Sequence, residues 1–201
     1  LAIDFGDEKS DPRTQTRMRV PPRVVLLAAR AEGYANLMRL SSRAFLETPS
    51  HEMPHLKLNW LEGATEGLIA LSGGPSGPLD AALAAGQGEL AAMRGAALLA
   101  LFGERLYVEL QRDGHATERA NEPALIDFAY TKGVALAASN EPFFATREDY
   151  EAHDALICIA EGRLLREPDR RQLTAEHYFK SRTEMTALFA DIPEALSSTV
   201  E

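Results

Sequence analysis

The sequence predicts an α/β fold built on a parallel sheet, open or closed into a barrel. Three observations carry that expectation. Four short apolar runs, 23–27, 67–72, 105–110 and 134–138, have the length and apolar character of buried strands. Segments of helical period separate them. The connections carry no Asn-Gly turn of the kind that would fold neighbouring runs into hairpins. In such sheets ligands gather at the carboxyl ends of the strands.

The elements follow in order. Leu1 to Phe5 reads as a strand, and residues 6 to 22, polar and holding Pro12, Pro21 and Pro22 with Arg13, Arg17 and Arg19, read as an exposed loop. After the strand Arg23 to Leu27, Tyr34, Leu37, Met38, Ser41 and Phe45 fall at helical spacing, and Pro49 ends that helix. The strand Gly67 to Ser72 runs into Gly73-Gly74-Pro75, and alanine-rich helices occupy roughly 79 to 102. Arg105 to Leu110 is the third strand, a helix over about 119 to 132 closes on Gly133, and Val134 to Ala138 is the fourth strand. From about 146 onward the chain turns helical, with capping-box spacing at Thr146 to Asp149 and at Ser181 to Glu184, and no further strand is expected.

Composition narrows the class. With 201 residues and 45% apolar content the chain can bury one substantial core, and no apolar run approaches the twenty residues of a membrane span. A net charge of −9 argues against a surface that grips phosphate backbones throughout, so any nucleic-acid contact is expected to be local. The single cysteine, Cys158, sits in an apolar run; it rules out an internal disulfide framework and fits a reducing, cytoplasmic compartment. The sequence opens on Leu1 within an apparent strand and stops at Glu201 within an apparent helix. A piece of a longer chain is the expectation.

Several motifs have plain readings. His51-Glu52-Met53-Pro54-His55 fits the H-E-x-x-H zinc pattern, which needs a continuous helix; Pro49 and Pro54 break it, so a solvent loop is expected. Gly73-Gly74-Pro75-Ser76-Gly77-Pro78 matches no phosphate-binding fingerprint and reads as a tight turn. His115, His153 and His177 are scattered, each expected at the surface or at a cap. Arg163, Arg166, Arg170 and Arg171 alternate with Glu161, Glu167 and Asp169, the pattern of a solvated face or a domain contact, with phosphate binding the lesser alternative.

The richest stretch is Ala137-Ala138-Ser139-Asn140-Glu141-Pro142-Phe143-Phe144, a buried strand end followed by a polar turn and by the helical run containing Asp149-Tyr150-Glu151-Ala152-His153. It resembles the Asn-Asp-x-His turn of the PHP (polymerase and histidinol phosphatase) domain of bacterial DNA polymerase III α subunits. Gly67-Leu68-Ile69-Ala70-Leu71-Ser72-Gly73-Gly74 is similar to that family's Gly-Leu-Ile-x-Leu-Ser-Gly-Gly strand and turn. Gly33-Tyr34-Ala35-Asn36-Leu37, Tyr107 to Arg112 and Leu188 to Leu196 are further matches. The resemblance implies a distorted seven-stranded (βα) barrel, incomplete at its N-terminus, over residues 1 to 145. Residues 146 to 201 would be a helical segment leading toward the polymerase thumb and palm. The family's first His- and Asp-rich motif would precede Leu1, and the palm would follow Glu201.

The resemblance also implies how the family's metal site has changed. Its strand-initial histidine corresponds to Arg23, the histidine after the strand ending near Arg112 corresponds to Asp113, and Asn-Asp-x-His corresponds to Asn140, Glu141, Pro142 and Phe143. Only Asp113 and Glu141 keep an atom able to bind a divalent cation; a guanidinium stays protonated and repels one, and a phenyl ring has no lone pair. A tri-metal phosphoesterase needs many converging imidazoles and carboxylates. A degenerate domain is therefore implied, with no catalytic, cofactor-binding or metal residues of its own beyond Asp113 and Glu141, which would hold one weak ion at most. Its role would be docking the proofreading exonuclease (epsilon) subunit and packing on other domains of the α subunit, with no membrane contact. The longer protein would copy DNA with magnesium, this portion contributing little to DNA contact. The rival expectation is an active metal-dependent 3′–5′ exonuclease or phosphoesterase.

Overall fold

The computed structural model describes residues 1–7 and 20–200. Pro12, Arg13, Arg17 and Arg19 of the expected loop lie outside the described residues; within them, Pro21 and Pro22 are buried rather than exposed. The chain forms two compact units, Leu1–Glu109 with Ala124–Leu136, and Leu110–Pro123 with Ala137–Glu201. The fold is mixed α/β.

The first unit is built from β1 (Ile3–Asp4), β2 (Val25–Ala28), α1 (Ala31–Glu47), β3 (Leu56–Lys57), β4 (Leu68–Leu71), α2 (Pro78–Ala84), α3 (Gly88–Phe102) and the start of β5 (Leu106–Gln111). The chain then runs through α4 (Ala116–Lys132) into β6 (Ala135–Ser139). The strands make two sheets: β1 pairs in parallel with β3, and the larger sheet has the order β2-β4-β5-β6. The fully parallel sheet expected from the sequence is not what forms. β2 runs antiparallel to β4, with Val25 opposite Leu71 and Ala28 opposite Leu68, whereas β4 and β5 are parallel. Strand direction depends on how the connection returns: Ala28, the last residue of β2, lies opposite Leu68, the first of β4, so α1 and the following segment bring the chain back at the end where β2 left it, and the two strands run antiparallel. No closed sheet occurs among the described residues.

Local chemistry sets the element ends. Pro49 forces Thr48 into an extended conformation (φ −77°, ψ 135°) and stops α1. Pro78 begins α2, where its missing N–H costs nothing, and Gly133 follows the last residue of α4. The Gly73-to-Pro78 stretch is the tight turn expected: Ser76 O accepts from Arg23 N–H at 2.7 Å, and the Gly73 amide donates to Glu109 Oε2 at 3.1 Å. The helix of α1 is as expected, but its buried face is Gly33, Asn36, Leu40 and Ala44; Tyr34, Met38 and Phe45 are exposed. The core residues Ile3, Leu56, Leu61, Leu68 and Leu98 are inaccessible to water.

The reason α1 turns this face inward is a backbone contact at Gly33. A Cβ on Gly33 would stand 1.9 Å from the carbonyl oxygen of Gly67, and Gly67 itself has φ +72°. That carbonyl accepts the Ala29 N–H at 2.9 Å, so the approach of the start of α1 to the turn before β4 leaves no room for a methyl group. Gly33→Ala is expected to destabilise the protein by more than about 2 kcal/mol in chemical denaturation. Gly88→Ala, where nothing lies within 4 Å of the added carbon, should change stability by less than about 1 kcal/mol.

Candidate functional site

The second unit holds the chemistry. Its helices are α5 (Tyr150–Glu161), α6 (Arg182–Leu188) and α7 (Pro193–Ser197), preceded by the end of β5, the first turns of α4 and the end of β6. Both capping boxes form as the spacing requires: Thr146 with Asp149, and Ser181 with Glu184.

After β5, Arg112 fixes the turn. Its guanidinium donates to Glu122 at 2.6 and 2.9 Å, to Asp191 at 2.6 and 2.8 Å and to the Leu188 carbonyl at 2.6 Å, and it lies over the buried Phe189 ring. Gly114, at φ +90°, then turns the backbone so that Asp113 points inward and is 3% exposed. Its Oδ1 accepts the His115 N–H at 3.0 Å, and its Oδ2 lies 3.3 Å from His177 Nε2. Behind it, Glu118 on the first turn of α4 accepts the backbone N–H groups of Asp113 and Gly114 on one oxygen, at 2.7 and 2.9 Å.

His177 comes from 64 residues away in sequence. The segment that carries it lies alongside the chain leaving β6: Phe143 N–H donates to His177 O at 2.9 Å, Phe179 N–H donates to Phe144 O at 3.0 Å, and Phe144 bridges Tyr178 in parallel. Thr174 holds both partners, its hydroxyl donating to the Asp113 carbonyl and its backbone N–H donating to His177 Nδ1 at 3.2 Å. A backbone N–H can only donate, so this bond makes Nδ1 the acceptor and leaves the ring proton on Nε2, facing Asp113.

The two carboxyls titrate in opposite directions. Burial pushes Asp113 up, but the hydrogen bonds from His177, Glu118 and the His115 N–H outweigh it and hold the group well below the ordinary carboxylate range. Burial, and then the shared hydrogen bond to Asp113, pushes Glu118 up to about 7. Of the two, Glu118 is the carboxyl that takes up a proton as pH falls through about 7.

The expected positions are placed as follows. Asp113 is buried and central to this cluster. Asn140 is half-buried and its Oδ1 accepts the Lys180 N–H at 3.4 Å; Glu141 is exposed. Phe143 is half-open to water, 5.8 Å between centroids from both His153 and His177, with the Arg171 guanidinium 5.4 Å from its ring centre. Arg23 belongs to the first unit, where it is exposed and its backbone pairs with Ala2. Among the described residues, one group of three or more donors converges closely enough for a cation: Asp113, His115 and His177, all ligand atoms within 4.8 Å of one another.

Three sequence expectations need correction. His177 is 2% exposed and not a surface residue, and it joins His115 instead of lying scattered from it. Arg170 is not on a solvated face: its fork grips Asp154, Nη2 to Oδ2 at 2.7 Å, with both side chains nearly buried. The H-E-x-x-H stretch is non-helical as expected, but His55 is buried, its Nδ1 2.9 Å from Met53 O. Sequence reasoning missed Glu118, Thr174 and His177 as site residues. Asp113-Gly114-His115 offered a local hint, two donors bracketing a turn glycine.

A family profile for the PHP domain matches residues 4–113, more than half of the chain. The chain belongs to the PHP domain family. Its relatives include proteins named DNA polymerase III subunit alpha from Caulobacter vibrioides, 46% identical over 182 residues, Pseudomonas aeruginosa, 39% over 180, and Escherichia coli K12, 36% over 179. These alignments cover about 90% of this chain, which spans only 15–16% of the length of those relatives. The PHP match ends at Asp113, so His115 and His177 lie beyond it. No helix among the described residues is long and apolar enough to cross a membrane.

The Glu118 carboxyl, raised from 4.5 to about 7, binds a proton in the folded chain that the unfolded chain has released. Its stabilising contribution is complete below about pH 4.5 and fades as pH rises through 7; Asp113 acts in the opposite sense, contributing above its ordinary 3.8. Glu118→Gln keeps a donor for Asp113 at every pH. Urea denaturation is expected to find it close to the parent at about pH 5. At about pH 8 it should be the more stable, by on the order of 1–3 kcal/mol. Curves that track each other across that range would contradict the raised Glu118 carboxyl.

Proposed function

We propose that this chain is part of the α subunit of a bacterial DNA polymerase III, and that its PHP domain has exchanged hydrolytic chemistry for a scaffolding role. The 46% identity over 90% of the chain to the Caulobacter α subunit carries the first half of the reading. The longer protein would extend primers from deoxynucleoside triphosphates with magnesium, using residues other than these. Residues 1 to 145 would contribute to the family's barrel, and 146 to 201 would lead toward the thumb and palm. Cytoplasmic placement follows from that role.

The second half rests on the signature positions. Arg23 and Phe143 offer no lone pair to a cation, Asn140 already accepts a backbone N–H, and Glu141 stands exposed. A multi-ion phosphoesterase needs several converging imidazoles and carboxylates, and what remains at those positions supplies too few. Such a domain serves best as a surface for the separate proofreading exonuclease subunit and as packing for the other domains of the α subunit.

The rival reading, a metal-dependent 3′–5′ exonuclease, draws on the convergence of Asp113, His115 and His177. A mismatched primer incubated with the intact protein, cleared of contaminating nucleases and supplied with manganese, separates the two. Excision is expected to stay at the level of the protein-free control. In parallel, the proofreading subunit should be retained by the immobilised intact protein. Metal-dependent excision abolished by Asp113→Asn, or no retention of that subunit, would overturn the scaffolding role.

A further inference from the structure

We propose that Asp113, His115 and His177 bind one divalent cation of the zinc class, a ligand set that shares only Asp113 with the positions the family resemblance points to and draws its two imidazoles from outside them. The three donors lie within 4.8 Å of one another. The closest pair, His177 Nε2 and Asp113 Oδ2, is 3.3 Å apart. A tetrahedral ion with bonds of about 2.0–2.1 Å holds its donors about 3.3 Å apart, so a cation can take the place of the Nε2 proton with little movement of either side chain.

The surroundings serve a bound ion as well as the proton it displaces. Histidine ligands ordinarily donate their second ring N–H to a fixed acceptor. His177 Nδ1 lies 3.1 Å from Thr174 Oγ1 and 3.3 Å from Thr174 O. When the cation takes the Nε2 lone pair, the ring proton moves to Nδ1 and is received by the Thr174 oxygens in place of the bond from the Thr174 N–H, so a neutral imidazole loses no proton overall. Asp113 is oriented independently, by the His115 N–H on Oδ1 and by Glu118 behind it.

His115 supplies the third donor and the way in. Gly114 turns the chain so that the His115 ring meets the His177 ring edge-on, centroids 5.6 Å apart, and His115 is only half-buried. A small rotation of that exposed ring brings its nitrogen into coordination, and water completes the fourth position. Two imidazoles and one carboxylate oxygen favour zinc, cobalt or nickel over magnesium or calcium, which prefer all-oxygen shells. The ion would pin the turn after β5 to the segment carrying His177.

The test is calorimetry of chelator-treated intact protein titrated with zinc chloride, with cobalt(II) absorption reporting tetrahedral geometry. One ion per chain is expected, with intense visible cobalt bands and no competition from millimolar-range magnesium. His115→Ala and His177→Gln should each weaken zinc binding at least about tenfold. Circular dichroism checks that each variant is folded. Should His177→Gln fail to fold, the half-buried His115→Ala decides alone. Absence of zinc binding, two or more ions per chain, or an affinity unchanged in the folded variants would overturn the site.

Discussion

A carboxylate buried to 3% exposure is the constraint around which the second unit is organised. An ionised Asp113 in so dry a place is tolerable only if every lone pair is engaged, and the chain meets that demand from three directions. The turn itself supplies the His115 N–H, the first turn of α4 supplies Glu118 with its proton, and a segment more than sixty residues away supplies His177. Each donor fixes a different piece of backbone. Gly114 makes the turn, Glu118 ties it to the helix, and Thr174 clamps the returning segment to both Asp113 and His177.

The first unit depends on a constraint of another kind, the absence of side chains where α1 approaches the turn before β4. Close approach of Gly33 to Gly67 sets the helix rotation, which buries Leu40 and Ala44 and turns Tyr34, Met38 and Phe45 outward. Those glycines sit in two of the stretches that carry the family resemblance. The resemblance at those positions is thus a record of backbone packing.

What the sequence made legible follows from the range of the forces involved. Capping boxes at Thr146 and Ser181, the stop at Pro49 and the turn at Gly73 are decided within a few residues, and all appear where the sequence puts them. The two-residue strand β3, Leu56–Lys57, is too short to show a period, and the antiparallel direction of β2 has no local signature at all. The rotation of α1 misleads for a related reason: the stripe Tyr34, Met38 and Phe45 has the right period, but a backbone contact decides which face is buried. At the site, the sequence pointed to Asp113, which the structure buries, and to Phe143, whose ring lies beside His177. His177 was not legible, because its role comes from a contact across 64 residues that no spacing rule encodes. The buried Arg170–Asp154 pair was hidden in the same way inside an ordinary-looking charge run.

The arrangement makes His177 the element on which the site turns, a ring held between an anionic carboxylate on one nitrogen and the Thr174 backbone on the other. Long-range ¹⁵N–¹H correlation of the histidine side chains, in ion-free protein at neutral pH, reads that arrangement atom by atom. The account predicts a neutral His177 protonated at Nε2, with an unprotonated Nδ1 shifted by the Thr174 amide. A ring protonated at Nδ1 and free of Asp113 under those conditions would contradict it.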